Sequence, residues 1–67
     1  MRTFHVELAV CYEDKSWESE SVSLDLNIDR EPKDHELLDK AEKKYRRENP
    51  KTEAVAFGLL SVWDQED

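Results

Sequence analysis

The sequence predicts a single small α+β domain of order β-β-α-β: a three-stranded, mainly antiparallel sheet with one helix packed on one face. Three observations predict it. Two early segments alternate apolar and polar residues with period two, a middle segment repeats apolar residues at helical spacing, and the last third returns to an apolar, strand-like run.

The first strand is read over residues 2–12. Phe4, Val6, Leu8, Val10 and Tyr12 fall on one face, with Thr3, His5, Glu7, Ala9 and Cys11 on the other. Residues 13–20 are polar and lack Asn-Gly or Asp-Gly, so they read as a longer hairpin loop that contains Trp17. Alternation resumes over 21–29, where Val22, Leu24, Leu26 and Ile28 face inward and serines, Asp25 and Asn27 face water.

Leu37, Leu38, Ala41 and Tyr45 then recur on one face of a helix of about four turns. Its start is marked by Pro32, suited to the first turn, and by Asp34 as a competing N-cap. Its end is marked by Asn49-Pro50, Asn as a left-handed cap and Pro as a stop. Glu36 with Lys40, Asp39 with Lys43 and Glu42 with Arg46 are i,i+4 pairs in the favourable order. The run 53–63 is the last strand, and the first strand is expected in the middle of the sheet. Strict alternation puts Val55, Phe57, Leu59 and Trp63 on one face of that last strand, the expected core side. Ala54, Ala56, Gly58, Leu60 and Val62 would then lie beside Ala9 and Cys11 on the open face, forming an apolar surface through which copies of the chain would join as a dimer. The opposite assignment of faces stays open at this point.

A chain of 67 residues makes one domain with acidic residues at 64–67, and it buries only about 60% of the surface its unfolded form exposes. Oligomerisation is the available support, because Cys11 is the only cysteine and closes no internal disulfide. That lone cysteine, with no apolar leader or membrane span, suggests the cytoplasm of a cell or of an infected host. The net charge of −7 argues against non-specific nucleic-acid binding and anionic membranes, and it permits attraction to a basic protein.

Chemistry is sparse, and a non-enzyme without metal or cofactor is expected. His5 and Glu7 share a strand face but read as a half-wet polar pair. Cys11 is six residues from His5, too far for a dyad. His35 and Asp39 offer only two metal ligands. With Gly58 the only glycine, no phosphate-cradling loop exists. Lys43, Lys44, Arg46, Arg47 and Lys51 form a basic cluster that reads as pairing with internal acids, among them the hairpin loop. RNA binding is the weaker alternative, and a planar ligand carried between subunits on Trp17 or Trp63 is weaker still.

The expected topology gathers Asp29, Glu31, Asp34, Glu36, Asp64, Glu66 and Asp67 at one pole, against Arg2, Arg30 and Lys33. Solvated helix-start acids explain this blandly. The sharper expectation is a partner-binding site, in which a virus- or mobile-element-encoded inhibitor imitates nucleic acid and blocks a basic nucleic-acid-handling protein. The competing expectation is an assembly protein that acts only by building a homo-oligomer.

Overall fold

The structure, a computed structural model, describes residues 2–65. Its elements are β1 (Arg2–Tyr12), β2 (Trp17–Leu26), α1 (Asp34–Glu48) and β3 (Ala54–Gln65). The sheet order is β2-β1-β3, with both pairings antiparallel, so the expected order, central strand and single helix are the observed ones.

The hydrophobic effect explains the arrangement. Phe4, Val6, Leu8 and Val10 are almost fully buried, and Val22 and Leu24 of β2 pair with Val6 and Phe4 on the same face. The helix lays Leu37, Ala41 and Tyr45 on them, one residue per turn. Each large aliphatic side chain buried here contributes about 1.5–3 kcal/mol.

Four local expectations are corrected. First, β2 runs from Trp17 to Leu26, not over 21–29, and the loop shrinks to residues 13–16. The Tyr12 amide donates to the Ser16 carbonyl (2.9 Å), the Lys15 amide donates to the Tyr12 carbonyl (3.0 Å), and Lys15 adopts φ 71°. Alternation was hidden because Glu18 and Glu20 occupy the helix-side face, opposite Val10 and Leu8, where their edge position still lets them reach water. Second, Lys33 is the N-cap, without a side-chain bond, while Asp34 is the first helical residue and Pro32 precedes the cap. Third, Asn49 is not left-handed (φ −128°, ψ 67°). Its side-chain amide (3.0 Å) and backbone amide (2.9 Å) both donate to the Tyr45 carbonyl, which closes the last turn without that conformation.

The fourth correction concerns β3. Its register against β1 shifts twice, because Val55 and Leu60 are each an extra residue with no partner of their own. Such bulges reset which way the following side chains point. Ala54 therefore pairs with Tyr12 and is buried in the core, not on the open face. Val62 pairs with Val6 and shares its helix-side face. Trp63 pairs with His5 and turns onto the open face, and Leu60 is a bulged, half-exposed residue. Of the seven residues expected on an apolar interface, Ala9, Cys11, Ala56 and Gly58 do lie on the open face. Ala54 and Val62 do not.

Candidate functional site

The helix covers one side of the sheet and leaves the other bare. Five cross-strand rows make up this open face: Asp25–Thr3–Gln65, Ser23–His5–Trp63, Ser21–Glu7–Ser61, Ser19–Ala9–Gly58 and Trp17–Cys11–Ala56. The rows divide it in two. Toward the hairpin the floor is made of small residues, and a Cβ added at Gly58 would meet only the Ala9 Cβ, at 3.8 Å. Toward the chain ends the face is a hydrogen-bonded polar lattice.

That lattice is organised around His5. Gln65 Oε1 can only accept, so His5 donates to it from Nε2 (2.8 Å) and receives the Ser23 hydroxyl at Nδ1 (3.0 Å). Trp63 stacks on the imidazole, with ring centroids 4.9 Å apart. The Thr3 hydroxyl donates to Asp25 (2.7 Å) and the Ser61 hydroxyl to Glu7 (3.2 Å). Both ring nitrogens are engaged by Ser23 and Gln65, so Glu7 does not orient the imidazole.

Two tryptophans stand out from this face at opposite corners. Trp17 is 60% exposed and Trp63 64% exposed. Among the described residues of these rows, the only charged side chains are the carboxylates of Glu7 and Asp25. Sequence reading placed Trp17 in a loop and Trp63 on the core side, so this pairing was missed. The alternation of Trp17, Ser19, Ser21, Ser23 and Asp25 was the available signal for Trp17, and nothing in the sequence marked the bulge at Leu60 that turns Trp63 outward.

The acidic pole forms differently from the expected array. Arg2, in half-buried surroundings beside the Phe4 ring, donates to Glu31 Oε1 (3.0 Å), to the Arg30 carbonyl (3.3 Å) and to Asp64. Arg30 holds Glu36 through two bonds of 2.8 and 3.1 Å, which keep the Glu36 carboxyl below its ordinary range. Glu31, Asp64 and Glu36 are thus gathered on two guanidinium groups, which leave one negative charge of the three uncompensated. Asp29 and Asp34 are exposed and carry no ion pair among the described residues. Glu66 and Asp67 lie outside the described residues.

The helix bases pair within the helix, not with the hairpin loop. Lys43 meets Asp39 (3.0 Å) and Arg46 meets Glu42 (3.4 Å) as expected, while Lys44 lies 3.9 Å from Glu48. Glu36 takes Arg30 in place of Lys40. Arg46 also covers the Phe57 ring at 4.9 Å. Among the described residues, no three His, Cys, Asp or Glu side chains are placed to share a metal ion, and no helix is long and apolar enough to cross a membrane. No protein-family model matches the chain, and comparison with curated proteins and with solved structures finds no significant match either.

Proposed function

We propose that this is a non-enzymatic protein-binding module whose working surface is the open sheet face, and that it occupies and blocks a basic partner such as a nucleic-acid-handling protein. The observation that carries this reading is the pairing of exposed Trp17 and Trp63 with Glu7 and Asp25 on one uncovered face that bears no lysine or arginine. Tryptophan is the side chain most enriched among residues that dominate binding energy, because it offers a large rigid surface at little entropic cost. An incoming arginine gains from a tryptophan face and a nearby carboxylate together. The small floor of Ala9, Gly58, Ala56 and Cys11 permits close approach beside them.

The acidic pole supports the reading less, since three of its five described carboxylates are already in ion pairs. An assembly role is the competing reading, favoured by the apolar half of the same face. The test is capture of basic proteins from a nuclease-treated lysate at low and high salt by tagged wild type, by Trp17→Ala/Trp63→Ala and by Asp29→Asn/Asp34→Asn. The tryptophan variant should lose the salt-sensitive partner roughly thirtyfold or more. The pole variant should keep it. Undiminished capture by the tryptophan variant would sink the proposal, and loss in the pole variant alone would return the site to the acidic pole.

A further inference from the structure

A three-stranded sheet has two free edges, and here they differ. β3 is interrupted by the extra residues Val55 and Leu60, which bend a strand and blunt its edge. β2 pairs with β1 in unbroken register from Trp17 to Leu26 and contains no proline, glycine or lysine. β2 thus lacks the proline and the bulge that block strand addition, and its deterrents are the charges of Glu18, Glu20 and Asp25, which a partner of complementary charge would offset.

The direction of its backbone groups follows from the hairpin. The Tyr12 amide donates to the Ser16 carbonyl, so the even-numbered residues of β1 and β2 bond each other. The odd-numbered residues from Trp17 to Asp25 therefore turn their amides and carbonyls outward. One such carbonyl is visibly in use, since Lys44 reaches over from the helix and donates to the Ser23 carbonyl.

Charge says what fits there. Between the helix and this edge runs a groove of about 340 Å³ whose floor includes Leu24 and Leu26 and whose wall is Lys40, Lys43, Lys44 and Arg47. These bases stand at the i, i+3, i+4, i+7 spacing of one helix face. Lys40 and Arg47 make no ion pair among the described residues. At the other end of β2, on the same side of the sheet, are the carboxylates of Glu18 and Glu20.

We infer that two copies of this chain pair antiparallel through β2 about a two-fold axis at Val22, each placing Glu18 and Glu20 against the basic groove of the other. In that register Ser21 bonds Ser23 of the second copy, and Ser19 bonds its Asp25. Glu20 then lies opposite Leu24 and Glu18 opposite Leu26, at the groove. The Ser23 carbonyl takes a backbone amide in place of Lys44, and the freed ammonium turns to the incoming Glu20. The contact is self-complementary, so the attraction is made twice. It lets two chains of charge −7 meet through opposite signs.

This inference uses the backbone edge and helix-side charges of β2, where the proposed partner site uses open-face side chains, so each can fail alone. Sedimentation equilibrium of the purified chain should show a salt-weakened dimer. Glu18→Lys/Glu20→Lys should weaken association roughly tenfold or more, as should Lys40→Glu/Lys44→Glu. An equimolar mixture of those two variants should form a heterodimer, because both of its charge contacts are again of opposite sign. Ser21→Pro, whose amide points away from β1, should be monomeric with its circular dichroism unchanged, while Trp63→Ala should stay dimeric. A monomeric wild type would overturn the inference. A dimer indifferent to both charge sets, or one lost with Trp63→Ala, would do the same.

Discussion

Lys15 holds φ 71°, a conformation that costs a side-chain-bearing residue about 1–2 kcal/mol and costs glycine almost nothing. The loop keeps it because Asp14 receives both the Ser16 amide (3.0 Å) and hydroxyl (2.5 Å), bonds that also hold the Asp14 carboxyl below its usual range. Lys15→Gly should therefore raise stability by about 0.5–1 kcal/mol, read as a higher urea midpoint with an unchanged slope. At the same end of the molecule, hydrogen bonding with the Tyr45 hydroxyl, then burial and the Glu18 carboxylate, push the Tyr12 phenol up to about 12 from an ordinary 10. A raised folded value means the native state holds its proton longer than the unfolded chain does. The associated stability is whole below pH 10 and is lost as pH rises through about 12. Absorbance titration should show one tyrosine ionising late, and Tyr45→Phe should bring it back toward 10. An unmoved titration would remove Tyr45 as the cause.

Among the elements, β3 is the one whose behaviour depends on residues that look ordinary. Leu60 stands between Leu59, which faces Leu8, and Ser61, which faces Glu7. Deleting Leu60 should leave both pairings in place, keep Trp63 on His5 and cost no more than about 1 kcal/mol, checked by chemical denaturation and by quenching of Trp63 fluorescence. It should also straighten a strand whose residues 54–63 carry no charge, so light scattering should reveal concentration-dependent clumping absent from the parent chain. The same bulges explain what was legible. β1 and α1 could be read residue by residue, since their faces keep one period from end to end. The first four residues of β2 were hidden by Glu18 and Glu20 on the core side, and the faces of β3 were legible only over residues 56–59, between its two bulges. Neither Val55 nor Leu60 is the glycine or proline that would have announced an irregularity.

For the whole molecule, charge proved readable in amount and not in arrangement. The count gave an acidic protein with one acidic pole, yet only folding shows that Arg2 ties together residues 31 and 64, joining the β2–α1 connection to the end of β3. The candidate face was half legible: its small floor could be anticipated from Ala9, Cys11, Ala56 and Gly58, whereas its tryptophans depend on a loop boundary and a bulge. The central position of β1 carries one more consequence, which concerns time. Thr3 faces Asp25 on one side and Gln65 on the other, so one neighbour of β1 comes from the adjoining hairpin and the other from the far end of the described chain. The hairpin can zip early, because its loop is short. The β1–β3 pairing must close a loop of some forty residues, from Tyr12 to Ala54, a separation that slows folding. Until it closes, β1 presents a bare edge beside Val6 and Leu8, and a β3 segment from any molecule of the same sequence can fill it. Newly made chains are therefore open to exchanging their last strands, and that exposure ends only when each strand docks on its own sheet.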